Sequence, residues 1–135
     1  MVVESGDDAP IVLDLGTGLR YYGEYLDEAG VEAFVGTALV THLHWDHVQG
    51  IPFFKPLLHP QSQLTLVGPP QTDSTLAAQV ERFVKPPLFP VHLDVLPGRV
   101  DFVETSSGSL NVGSCTITTA PVPHCGDTNG YRIQN

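Results

Sequence analysis

The stretch THLHWDHVQG, residues 41–50, places three histidines and an aspartate within the six positions from His42 to His47. Imidazole and carboxylate are the usual donors to zinc and similar divalent ions. A single isolated histidine is most simply a helix cap or a satisfied buried polar group. Four donors at this density point instead to metal binding. In an extended segment, side chains two residues apart face the same way, so His42 and His44 converge on one ion while Leu43 turns into the core. Asp46 and His47 follow after the chain bends and are placed to serve a second ion beside the first. Two adjacent ions can clamp both the attacking and the leaving oxygen of a substrate.

Working outward, Ala38-Leu39-Val40-Thr41 is apolar and rich in β-branching, which predicts a strand that delivers the chain into His42. The cluster therefore sits in a loop at a strand end, where scaffolds commonly carry chemistry. Upstream, Ile11 to Leu15 is a compact apolar run ending at Gly16-Thr17-Gly18, read as a buried strand entering a tight turn, with a helix expected over Leu19 to Ala29. The two glycines do not make a full G-x-G-x-x-G and do not define a phosphate loop. Downstream, Gln63 to Gly68 alternates as a strand and stops at Pro69-Pro70. Thr72 or Asp73 is the expected cap of a helix carrying Leu76, Val80, Phe83 and Val84 on one face, before Pro86-Pro87 ends it. Val91 to Val95, Arg99 to Glu104 and Ser114 to Ala120 read as three more strands, with Pro97-Gly98 and Ser107-Gly108 as turns. Tyr131-Arg132-Ile133 begins another. The expected class is α/β or α+β.

With 135 residues and 41% hydrophobic content, the chain suits one domain spanning residues 1–135. No window approaches the roughly 18 to 20 apolar residues of a membrane-spanning helix. The opening MVVESGDDAP lacks the basic start and apolar run of a signal peptide. A cytoplasmic protein with no membrane partner is the expectation. Fifteen acidic residues against six Lys and Arg give a formal charge of −9, which repels polyanions and disfavours nucleic acid as a partner. Two cysteines, Cys115 and Cys125, exclude a disulfide-dense scaffold and are read as reduced thiols. Nine of the twelve prolines lie between Pro52 and Pro97, so that stretch is expected to be broken into short elements.

His42-Leu43-His44-Trp45-Asp46-His47 matches H-x-H-x-D-H, and on this motif the chain resembles the metallo-β-lactamase fold superfamily. Leu13-Asp14-Leu15-Gly16-Thr17-Gly18 is similar to that family's first buried strand and aspartate turn. Pro123-His124-Cys125-Gly126, followed by Gly130-Tyr131-Arg132-Ile133, resembles the next metal-ligand loop of the branch containing ribonuclease Z and the cyclic-nucleotide and phosphonate-pathway phosphodiesterases. Phe53-Phe54 and Phe89-Pro90-Val91 are similar to the same branch. The resemblance implies that His42, His44 and His124 hold one metal and that Asp46 and His47 belong to another. It also implies that Asp14 orients the histidine loop through hydrogen bonds. Two divalent ions follow, zinc first, with manganese and iron accepting the same donors.

The implied activity is that of a metal-dependent hydrolase, a phosphodiesterase acting on a small cyclic or linear phosphodiester through a metal-bridging hydroxide. Asp46 would be the catalytic residue that orients or deprotonates the water. A ribonuclease Z-like tRNA 3′-processing endonuclease comes second, because the acidic chain shows no basic arm to grip RNA. A non-catalytic metal-binding or interaction protein comes third. The family's dinuclear site takes a bridging aspartate and a final histidine beyond the third ligand loop, whereas this sequence reads eleven residues past His124, with Asp127 too early for the bridging place. The family also precedes the Leu13-Asp14 strand with a hairpin that is not expected here. The domain is thus read as the first half, or slightly more, of an αββα sandwich truncated at both ends, with an exposed face suited to homodimer pairing. Trp45 is expected to pack against Phe53-Phe54, or to wall a substrate-binding pocket. Cys125 is expected to be a buried thiol, and His59 and His92 to be loop or surface residues.

Overall fold

The computed structural model describes residues 1–6 and 8–135. Five strands form one sheet in chain order: β1 (Val2–Val3), β2 (Ile11–Leu13), β3 (Val35–Leu39), β4 (Gln63–Gly68) and β5 (Arg99–Glu104). The first pair is antiparallel and the other three pairs are parallel. Parallel neighbours need crossovers. Helix α1 (Gly18–Glu28) supplies the first, the histidine loop with the short helix α2 (Trp45–Val48) the second, and α3 (Leu76–Glu81) the third. A second sheet contains β6 (Gly108–Val112), β7 (Cys115–Pro121) and β8 (Asn129–Gln134), all antiparallel.

The two-residue period of the central strands explains the layering. Val12, Ala38, Leu64 and Leu66 point to one face, where they pack with Leu19 and Leu26 of α1 and Leu76 and Val80 of α3. Ile11, Leu39 and Val67 point to the other, where Cys115 and Ile117 of β7 meet them. Because both faces are covered, these strands are apolar on both sides. The result is helices, large sheet and small sheet in three layers, a mixed α/β arrangement. No helix among the described residues is long and apolar enough to cross a membrane.

Four local expectations are corrected. Val91 to Val95 is not a strand: only Leu93–Val95 is regular, as one 3-10 turn, with Val91 and Val95 exposed and no sheet face to receive them. The cap of α3 is Thr75, whose Oγ1 accepts the Ala78 N–H at 3.1 Å. Thr72 and Asp73 instead form a turn closed between Gln71 and Ser74. Gly108, read as a turn, opens β6, a polar strand ordered by pairing along β7. Val2–Val3 does pair with β2 ahead of the first buried strand, although no such pairing was expected.

One side chain locks the two sheets together at the strand ends. Tyr131 of β8 donates its hydroxyl to the Val40 carbonyl at 2.8 Å, with the Val67 carbonyl at 3.4 Å, and accepts from Asn129 Nδ2 at 3.1 Å. Burial pushes the Tyr131 phenol up to about 12, with the Asn129 amide opposing the shift. Its neutral form is therefore preferred in the fold, and that preference stabilises fully below the unfolded value near 10 and is lost as pH rises toward 12. Tyr131→Phe is expected to lower stability at neutral pH by about 1–2 kcal/mol. It should also flatten the loss of stability between pH ~10 and ~12. Urea titrations across that range check both.

Candidate metal centre

The histidine loop is held between two parallel strands and a neighbouring glycine turn. Asp14, immediately after β2, adopts a left-handed backbone with φ 55°, a conformation that aspartate tolerates better than most residues. The chain then turns so that Leu15 N–H donates to the His47 carbonyl at 2.7 Å and Gly50 N–H donates to the Leu15 carbonyl at 2.8 Å. A Cβ at Gly16 would lie 2.4 Å from the Asp46 carbonyl oxygen, and one at Gly50 would lie 2.1 Å from the Gly16 oxygen. Gly16 and Gly50 are thus required by backbone contact, not by a phosphate.

Asp14 is the organising acceptor. Its Oδ1 takes the Thr41 N–H at 2.8 Å and the Thr41 hydroxyl at 3.0 Å, and its Oδ2 lies 2.9 Å from His47 Nδ1. An ionised carboxylate only accepts, so in this pair His47 Nδ1 carries the proton and Nε2 keeps a lone pair facing out. Thr41 Oγ1 also lies 3.0 Å from His42 Nδ1. With the hydroxyl proton given to Asp14, Nδ1–H of His42 donates to Thr41, and Nε2 of His42 is likewise left as a donor atom for a cation.

The free nitrogen of His42 meets ring nitrogens of two other histidines. His42 Nε2 is 2.9 Å from His44 Nδ1 and 3.2 Å from His124 Nε2, and one ligand atom from each of the three residues lies within 4.8 Å of the others. Tetrahedral nitrogen ligands at ordinary zinc distances stand about 3.4 Å apart, close to what is seen. Facing ring nitrogens cannot all be satisfied by one another's protons, and a cation resolves the conflict. The donor set therefore fits a divalent ion. His42 is buried, and burial, followed by the neighbouring His47, His44 and His124, lowers its pKa against the opposing pull of Asp14. It is held as the neutral imidazole that metal ligation requires.

Asp46 and His47 sit beside this group. Asp46 Oδ2 is 3.4 Å from His47 Nε2, and the His47 and His42 rings are 4.1 Å apart. His124 reaches the cluster from the loop between β7 and β8. That loop is closed by Val122 N–H to the Thr128 carbonyl at 3.1 Å and tied to the histidine strand by Asn129 N–H to the Thr41 carbonyl at 2.8 Å. Asp127 is engaged elsewhere, its carboxylate accepting the N–H and hydroxyl of Thr72. His59 and His92 stand outside the three-histidine group. Leu43 packs against the main core, as its spacing predicts.

Two expectations fail here. Trp45 does not meet Phe53-Phe54: its ring stands edge-to-face on Phe83, with centroids 5.3 Å apart, while Phe54 packs with Tyr22 and Phe34. Cys125 is exposed rather than buried, because its loop projects past the ends of β7 and β8, whereas Cys115 is buried and both are free thiols. Thr41 and Asn129 were not singled out for this site from the sequence, and Tyr131 was marked only by the likeness of Gly130 to Ile133 to the ligand loop, not by the bond it makes. The signal for Thr41 was its position, one residue ahead of the first histidine.

The chain belongs to the β-lactamase superfamily: the family model described as "Beta-lactamase superfamily domain" matches residues 30–135. Among solved structures it is similar to a diphosphatase from the PhnP family, with a TM-score of 0.68 and 17% identity over 98% of this chain and 47% of that one. It is also similar to the metallo-β-lactamase fold protein YhfI from Bacillus subtilis, with a TM-score of 0.63 and 19% identity over 98% and 49% of the two chains. MIM-2 metallo-β-lactamase gives 0.64 and 20% over 98% and 48%. The chain thus spans about half the length of these structures. At such identities the likeness is one of fold, and it establishes the metallo-β-lactamase fold. A comparison with curated proteins gives no match.

Because Asp14 fixes Thr41 and His47 together, Asp14→Asn is expected to weaken metal affinity by about 10–100-fold. Competition against a chromophoric chelator measures the loss.

Proposed function

We propose that this chain carries the metal-binding half of a metal-dependent hydrolase acting on a small cyclic or linear phosphodiester. The observation that supports it is the convergence of His42 Nε2, His44 Nδ1 and His124 Nε2 beside the Asp46–His47 pair. In this reading the three histidines hold one ion, zinc in the first instance, and Asp46 and His47 contribute to a second. Divalent ions bound there supply Lewis-acid stabilisation of charge on the phosphoryl oxygens and ease deprotonation of water. The protein's own groups do the rest. Asp14 and Thr41 hold the imidazoles in the ligating tautomer. Asp46, exposed and an acceptor, orients the attacking water and takes its proton.

A phosphodiester is favoured over the superfamily's other substrates by the likeness of Pro123 to Gly126 and Gly130 to Ile133 to the phosphodiesterase branch. The fold shared with a structure described as a diphosphatase adds support. The charge of −9 argues for a small ester over a long polyanion such as tRNA, which makes tRNA processing the less favoured reaction. A single-ion binding protein is a second reading, favoured by the three-donor convergence on His42 against only two donors at the neighbouring position.

His44→Ala is expected to lower hydrolysis of bis(p-nitrophenyl) phosphate by at least ~100-fold, the order seen when one charge-stabilising group is lost, with an unchanged circular dichroism spectrum. Turnover retained in a folded variant rejects the hydrolase assignment. Elemental analysis then separates the two readings: the hydrolase expects near two ions on a chain that also carries the bridging aspartate and final histidine and one or none on these 135 residues, whereas the binding protein expects one on both.

A further inference from the structure

Of the three convergent histidines, His124 is the one that its own surroundings hold least. Thr41 Oγ1 lies 3.0 Å from His42 Nδ1 and orients that ring. The backbone of His44 is held where α2 begins, its carbonyl accepting the His47 N–H at 2.9 Å. His124 has neither support. Its Nε2 lies 3.2 Å from His42 Nε2, and its other ring nitrogen makes no hydrogen bond among the described residues.

Its loop adds to the difficulty. The bond from Val122 N–H to the Thr128 carbonyl closes the base of the loop, and Asn129 N–H ties that base to the Thr41 carbonyl. Residues 123–127 project past both bonds and are exposed. Gly126 turns the tip back with φ 84°, and nothing lies within 4 Å of where its Cβ would be, so conformation rather than crowding calls for glycine there. A tip left free would lose conformational entropy each time an ion gathered His124 to the other two rings.

One contact removes that freedom. Asp127 Oδ2 accepts the Thr72 N–H at 3.1 Å and the Thr72 hydroxyl at 3.0 Å. Two donors of one residue on one oxygen fix direction as well as distance. Apart from the ring contact with His42, no other hydrogen bond among the described residues ties this tip to a segment outside its own loop. Thr72 is a firm post. It follows Pro69-Pro70 at the end of β4, in a turn closed between Gln71 and Ser74, with Gln71 Nε2 donating to the Pro69 carbonyl at 3.0 Å. Thr75 then caps α3, and the Leu76 N–H donates to the Glu104 carboxylate of β5 at 2.6 Å. The post therefore stands on the large sheet, from which His42 and His44 also extend, whereas Asp127 hangs from the small one.

We propose that Asp127 is a positioning residue for the metal centre, whose grip on Thr72 holds the loop tip so that His124 meets His42 and His44 before an ion arrives. This rests on the reading of the three histidines as ligands of one ion and adds to it a carboxylate that is not itself a ligand. Water competes for an exposed bond of this kind, so it contributes little to folding as a whole. Its effect falls on the loop it holds.

The test titrates cobalt(II) into the 135-residue chain and its variants and follows the visible absorption of the bound ion. Asp127→Ala is expected to lower cobalt affinity by about tenfold or more, the order found when a group that orients metal ligands is lost. It should also alter the absorption band, while the thermal midpoint of the metal-free chain stays unchanged. Asp127→Asn keeps an acceptor oxygen without the charge and should retain most of the affinity and the original band. In a His124→Ala background, Asp127→Ala should cost nothing further, because it acts through His124. Unchanged affinity and band in Asp127→Ala overturn the proposal. Equal losses in the Ala and Asn variants also overturn it, since charge would then be the cause, as does a loss that persists without His124 or that follows a lowered midpoint of the metal-free chain. Cobalt binding that depends on His124 but not on Asp127 removes this proposal alone, whereas binding indifferent to His124 removes the three-histidine reading and the proposal with it.

Discussion

The structure around the metal cluster depends on one carboxylate. Asp14 accepts the Thr41 N–H, the Thr41 hydroxyl and, through His47 Nδ1, a ring proton, all within 3.1 Å. These bonds join the end of β2 to the end of β3, the strand end that leads into the histidine loop. They also decide which nitrogen of His47 faces outward and, by way of Thr41, which nitrogen of His42 does. The left-handed backbone of Asp14 and the side-chain-free Gly16 and Gly50 are the local conditions for that contact. Conformational strain at one residue is thus converted into orientation at two others.

What the sequence revealed and what it concealed divide along the range of the interactions. The candidate donors His42, His44, Asp46 and His47 lie within six residues, so their density and spacing were readable without any knowledge of the fold. The central strands were readable for the same reason, since a run such as Ile11 to Leu13 or Gln63 to Gly68 carries its burial in its own composition. Thr41, Asn129 and Tyr131 act across the fold, Tyr131 reaching a carbonyl 91 positions away, and nothing in the local pattern marks such a bond. Strand β6 was hidden because its order comes from its partner rather than from apolar alternation. Val91 to Val95 misled in the opposite sense, being β-branched without any sheet to join. Trp45 met Phe83 rather than the nearer Phe53-Phe54 because α3 brings residue 83 back over the histidine loop.

The acidic surface and the histidine cluster belong to one electrostatic arrangement. A chain of net charge −9 attracts cations before it attracts esters. Burial and its ring neighbours disfavour protonation of His42, so protons compete poorly with a divalent ion for the site. A bound ion would reverse the local sign of the field, as the proposed hydrolysis of an anionic ester would need.

The position of His124 has a further consequence for how the domain holds together. His42 and His44 extend from the large sheet, while His124 hangs from the loop that joins two strands of the small one. An ion bound by all three is a cross-link between sheets, bridging 82 residues of chain much as a disulfide would. Such a clasp strengthens with the free concentration of its ion by mass action. Resistance to unfolding would then rise with ion supply, and an ion-starved chain would be easier to degrade.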